Sequence, residues 1–105
     1  MSRVPTNFSP IDPTEQVDLA FDFSKVLAAG ETAVTTRWTM GVETGTDEAA
    51  ATRLLTTPVT DGYRSTCRVG TCLAGVAYQP RAEITTSTGQ IFSAYATLPC
   101  SVPKT

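Results

Sequence analysis

The chain has 105 residues, 41% of them hydrophobic and 17% charged, with a formal net charge of −2 and no histidine. That length suits one domain with a real core, and that charge argues against a phosphate-binding surface for nucleic acid. The missing histidine removes Ser-His-Asp and Cys-His triads together with the commonest metal ligand, and no apolar run approaches the roughly 18 residues of a membrane span.

Residues 1–16 carry Pro5, Pro10 and Pro13 among polar residues and contain no apolar run of a signal peptide. They read either as a disordered tail or as an extended arm ordered only against a neighbouring subunit, with Phe8 and Ile11 as its anchors. Made without a leader, the protein is expected to fold first in a cytoplasm. Residues 17–23 (VDLAFDF) alternate strictly, with Val17, Leu19, Phe21 and Phe23 inward and Asp18 and Asp22 outward. Ser24 is placed to cap a single helical turn whose Leu27 plugs one end of the core.

Residues 32–40 alternate again, with Val34, Thr36, Trp38 and Met40 on the inner face. A lone Trp in mid-strand predicts a core residue between two sheets. Residues 41–48 (GVETGTDE) predict a polar loop. The next stretch, AAATRLLTT, has a helical start signal in Asp47-Glu48, yet its threonines and Pro58 favour a strand over residues 52–56. Residues 63–69 (YRSTCRV) place Arg64, Thr66 and Arg68 outward beside Tyr63, a composition suited to an acidic or polar partner.

The clearest pattern is a hairpin over residues 76–98. Val76, Tyr78, Ala82, Ile84 and Thr86 share one face, and Gln79, Arg81, Glu83 and Thr85 the other. Ser87-Thr88-Gly89 supplies the connection, with a positive φ expected at Gly89. The return strand buries Phe92, Ala94, Ala96 and Leu98. Pro80 cannot donate to a ladder, so an edge position or a bulge is predicted there. The core candidates are therefore Val17, Leu19, Phe21, Phe23, Val34, Trp38, Tyr78, Ile84, Phe92 and Leu98. The docking candidates are Phe8, Ile11, Tyr63, Arg64, Arg68, Gln79 and Arg81.

Six or seven short strands with turns about every 8–12 residues predict an all-β fold. The expected form is an antiparallel immunoglobulin-like β-sandwich with extended Pro-rich termini; a small closed barrel is the alternative. The predicted layout is an arm over residues 1–16, a sandwich over 17–99 and a tail over 100–105. Cys67, Cys72 and Cys100 allow free buried thiols, a clip between Cys67 and Cys72, or a bond from Cys72 to Cys100. Either bond leaves an odd thiol for another subunit, and zinc lacks a fourth ligand. No catalytic residue, cofactor or metal site is predicted, and the chain reads as non-enzymatic.

Taken together, VDLAFDFSKVLAAGETAV, TTRWTM, TRLLTTP, CRVGTCLAGVAY and the turn TTSTGQ resemble the small tail-associated fibre–tail adaptor proteins of double-stranded DNA bacteriophages, over about residues 17–98. The resemblance implies an immunoglobulin-like module repeated in a ring or lattice on the virion, assembled in the host cytoplasm. It further implies a neck, collar or tail station, with portal, tail, fibre or capsid proteins as partners and neither nucleic acid nor membrane. The alternatives are a capsid decoration protein and a carbohydrate-binding attachment module. The second is disfavoured because Trp38, Tyr78 and Phe92 occupy inward positions.

Overall fold

A computed structural model describes residues 6–101. Its seven strands are β1 (Thr6–Asn7), β2 (Gln16–Asp22), β3 (Ala33–Thr44), β4 (Val59–Asp61), β5 (Arg64–Gly70), β6 (Ala77–Thr86) and β7 (Ile91–Pro99). They form two sheets, ordered β1-β7-β6-β3 and β2-β5-β4, whose apolar faces meet as an all-β sandwich. Every pairing is antiparallel except that of β1 with β7.

Period-two alternation builds the walls. In β2, Leu19 and Phe21 are buried while Asp18 and Asp22 face water. In β6 the inward set is Tyr78, Pro80, Ala82, Ile84 and Thr86, all buried. Trp38 on β3 lies opposite Ala82, which lies opposite Ala94 on β7. Two small residues beside one indole keep this row filled without a clash. The indole N–H donates to Ser65 Oγ on β5 at 2.7 Å, and the Thr36 and Ser65 hydroxyls are 2.5 Å apart. One buried serine thus joins the two sheets. Phe8, Phe21 and Trp38 pack in succession, the first pair edge to face and the second tilted, with ring centroids 5.3 and 5.2 Å apart.

The hairpin closes as its residues predict. Gly89 has φ 88°, the Gly89 N–H donates to Thr86 O and the Thr86 N–H donates to Gln90 O. Buried Glu31 braces the turn by accepting bonds from the Thr86 and Thr88 hydroxyls and the Ala28 N–H. Gly70, paired with Gln16, has another requirement. A Cβ there would stand 2.7 Å from Glu15 O and from Gln16 Cγ, so only glycine lets β2 begin so close to β5.

Five expectations need correction. Val34, predicted as core, is 56% exposed, because the register with β6 slips between Ala33 and Thr35. That bulge gives the inward place to Ala33 and turns Val34 out. The predicted strand at residues 52–56 is instead a 3-10 turn, Ala50–Arg53, followed by one bridge from Leu54 to Val69. Asp47 decides this by accepting the Ala49 N–H and the Arg53 guanidinium, so the helical start signal prevails. Pro80 lies in an interior strand without a bulge. The β6–β7 ladder lapses between Tyr78↔Leu98 and Arg81↔Tyr95 and then resumes in the same register, which is how the missing donor is absorbed.

The fourth concerns the arm. Phe8 and Ile11, expected as anchors on a neighbouring subunit, pack on the chain's own core, and Ile11 is buried. The Phe8 N–H donates to Thr97 O and the Ile11 N–H to Pro99 O, both at 3.0 Å, which makes this stretch an edge of its own sandwich. Residues 1–5 lie outside the described residues. Fifth, the start of the tail is held: Cys100 is buried and bridges Ile11, and the Ser101 N–H donates to Ile11 O.

Candidate functional site

The polar positions of the strands, facing away from the core, form two separate outer faces. On the β2-β5-β4 sheet, Arg68 lies opposite Asp18, and its guanidinium donates to both carboxylate oxygens, at 2.9 and 3.4 Å. Arg64 sits 5.5 Å above the Tyr63 ring and 4.0 Å from Asp61. Asp18 and Asp22 are both held below the usual carboxylate range, by the Arg68 guanidinium and by the Ser24 N–H respectively. The outward Arg64 and Arg68, expected to suit an acidic or polar partner, are therefore interleaved with acids, a patch of mixed sign.

On the β3-β6-β7 sheet the outer rows run Thr35·Thr85·Ile91, Arg37·Glu83·Ser93 and Thr39·Arg81·Tyr95. Arg81 is exposed and donates weakly to Ser93 Oγ at 3.4 Å, and Arg37 pairs with Glu83 at 3.7 Å. Ile91 and Tyr95 stand out of this polar surface, 62% and 48% exposed. The docking candidates are thus split: Tyr63, Arg64 and Arg68 belong to one sheet, and Gln79 and Arg81 to the other. The structure does not bring them together.

The three thiols are resolved. Cys72 and Cys100 form a disulfide that fastens the 71–75 turn to the end of β7. There the Gly75 N–H donates to Cys100 O and the Cys100 N–H to Val76 O. Thr71, just before Cys72, is the only described non-glycine residue with a positive φ, at 55°. Cys67, the odd thiol expected to reach another subunit, is buried, and its S–H points to Thr56 O at 3.3 Å. Burial pushes its pKa up, which keeps it a poor nucleophile.

One polar cluster escaped the sequence reading. Asp47, with a side chain only 3% exposed, accepts two bonds from Arg53, one from the Tyr78 hydroxyl at 2.6 Å and one from the Ala49 N–H. The same Tyr78 oxygen accepts the Leu73 N–H. The cluster ties the 45–53 loop, β6 and the disulfide turn together. These bonds, Arg53 first, hold the Asp47 carboxyl at about 2 against its ordinary 3.8. A folded-state pKa below the unfolded one contributes stability that is present above pH ~4 and lost as pH falls toward ~2. Acid unfolding followed by Trp38 fluorescence is expected to fall steeply in that window, and Asp47→Asn to flatten it. An unchanged acid transition in the variant would show that the cluster carries none of this dependence. Among the described residues no three of His, Cys, Asp and Glu gather to hold a metal.

The sequence profile of a family described as "Podophage GP4 fiber-tail adaptor protein gp77" matches residues 12–99. The chain belongs to this fiber-tail adaptor family. Searches of curated proteins and of solved structures each returned no match. The family match begins at Asp12, within the arm, and takes in β2 to β7, so it covers both sheets apart from β1. It includes Cys67 and Cys72 and stops one residue short of Cys100. Membership makes the chain a phage structural protein of the adaptor kind, and no described helix is long and apolar enough to cross a membrane.

Proposed function

We propose that this chain is a non-enzymatic joint of the phage particle, at the neck or tail, that links fibre to tail and works by binding alone. The family match carries the reading. The fold supports it by offering a stiff block with several contact surfaces. Two sheets locked by Ser65, a disulfide and the Asp47 cluster resist deformation, as a joint between larger parts must. The outer edges of β2, β3 and β4 each have one unpaired side on which a partner strand can add. A ring of identical copies would use such edges head to tail, each subunit giving one surface and receiving on another. The net charge of −2 gives no electrostatic footprint for nucleic acid.

The test is the position of the chain in purified particles, by reconstruction with the chain tagged at its C-terminus. Density in a closed ring between tail and fibres is expected. Density spread over the capsid shell would overturn the adaptor reading in favour of decoration. Density confined to a distal, glycan-contacting tip would point to host attachment.

A further inference from the structure

Of the three edges on which a strand can add, that of β3 is the longest, at 12 residues against 7 in β2 and 3 in β4. Its inward side chains are also incompletely covered. Thr36, Met40 and Val42 stay half-buried, whereas the inward set of β6 is buried throughout. β6 has a strand on either side, and β3 has β6 on one side only. The inner face is therefore open to water along the β3 edge.

The backbone shows which groups face outward there. At the two ends of the β6–β7 ladder, Val76 O accepts the Cys100 N–H and the Thr86 N–H donates to Gln90 O. Even-numbered residues of β6 thus turn their main-chain groups to β7, and odd-numbered ones turn theirs to β3. Pro80 obeys this rule: its missing N–H falls on the β7 side, where the ladder lapses, and the β3 side is complete. Arg37, Thr39 and Gly41, opposite Glu83, Arg81 and Gln79, therefore bond to β6. Thr36, Trp38 and Met40 turn their N–H and C=O groups to the outer edge. The first outward group of the strand, the Ala33 N–H, is taken by Gly62 O, and no described residue takes those of Thr36, Trp38 or Met40.

We infer that β3 receives an extended segment of a partner protein as a fifth strand of its sheet, one with alternate apolar side chains and an acid opposite Arg37. The inference rests on the adaptor reading for the existence of such a partner. Residues opposite Trp38 and Met40 share the inner face, where apolar side chains would cover Met40 and Val42. The residue opposite Arg37 shares the outer face, where that side chain is 75% exposed and meets Glu83 only at 3.7 Å. Either strand direction gives the same alternation. Glu43, at the far end of β3, accepts the Thr97 hydroxyl and lies away from this position. A second copy offers no such strand: its β3 carries arginine again, its Asp18 is held by Arg68, and its Asp22 accepts the Ser24 N–H. The edges of β2 and β4 stay available for contacts between copies.

Titrating the full chain with a synthetic peptide of about nine residues tests this, the peptide alternating valine and threonine with glutamate at its central threonine position. By NMR, the Trp38 and Met40 amides are expected to exchange fast in the dilute free chain and about tenfold more slowly at saturating peptide. The Arg37 and Thr39 amides, already bonded to β6, should change by less than about twofold. Lysine in place of the peptide's glutamate should weaken binding about fivefold, and Arg37→Glu should reverse the preference between the two peptides. No binding, or equal binding of both peptides, would overturn the inference. Slow exchange at Trp38 and Met40 in the dilute free chain would overturn it too, by showing the edge already occupied. Protection that grows with protein concentration alone would overturn it by giving the edge to a second copy. None of these outcomes bears on where the chain sits in the particle, which reconstruction reads separately.

Discussion

The Ile84→Asp chain is expected to be unfolded in neutral buffer, without the far-UV strand signal and cooperative melt of the native protein. Ile84 is fully buried in mid-β6, between Thr36 on β3 and Phe92 on β7. Truncating a buried Ile costs about 2–5 kcal/mol through lost burial and the cavity left behind. A carboxylate at that point adds several kcal/mol, because no cation faces it. The total rivals the roughly 5–15 kcal/mol that a domain of this size has available. Ile91→Asp is the matched control: it lies in the same hairpin on the solvent face and should cost no more than about 0.5 kcal/mol. A folded Ile84→Asp chain with a normal melt would mean that the inward face of β6 is misassigned, and the sandwich with it.

Breaking the disulfide should be the next largest effect. Cys72 and Cys100 are 28 residues apart, and closing a loop of that length restricts the unfolded chain by about 3–4 kcal/mol. Reduction, or Cys100→Ser, is therefore expected to lower the melting temperature by on the order of 15 °C. The damage should begin locally, since Cys100 also holds the Gly75 and Val76 backbone and bridges Ile11. Proteolysis of the reduced chain is accordingly expected first near residues 71–75 and the arm. Gels with and without reductant should show monomer in both lanes, because Cys67 is buried and the other two thiols are paired with each other. A melting point unchanged by reduction would mean that the bond adds nothing to packing already complete.

Much of the sandwich was legible because period-two alternation records burial directly. β2, β6, β7 and the Gly89 turn follow from side-chain order alone, and so do Trp38 and Ile84 as core. The misreadings share a different origin. Val34 obeys the alternation of its neighbours, but a single slipped residue at the start of β3 reverses its face, and nothing local marks that slip. The stretch after Asp47 carried both helix and strand signals. Its outcome was set by Arg53 turning back to a carboxylate that Tyr78, 31 residues away in sequence, also holds. Glu31 with Thr86 and Thr88, and Ser65 with Trp38, are long-range polar pairs of the same kind. Their residue types are ordinary, and only the fold gives them partners.

The arm shows the limit most clearly. Its prolines announce an extended chain, yet extension alone does not say on what the chain lies. Phe8 and Ile11 were legible as anchors. That they anchor to β7 and Phe21 of their own chain follows from a parallel pairing that leaves no trace in the arm's sequence. The docking surface was legible in kind but not in layout. Arg64 and Arg68 were expected to suit an acidic or polar partner, but Arg68 is paired with cross-strand Asp18, Arg64 lies near Asp61, and Gln79 and Arg81 lie on the opposite sheet.

Whether this fold acts as a connector within a phage particle is decided by a reconstruction of that particle. A closed ring of sandwich-shaped densities is expected at the fibre–tail junction, each touching its neighbours through sheet edges. Particles in which the same density tiles the capsid, or from which the chain is missing, would contradict it.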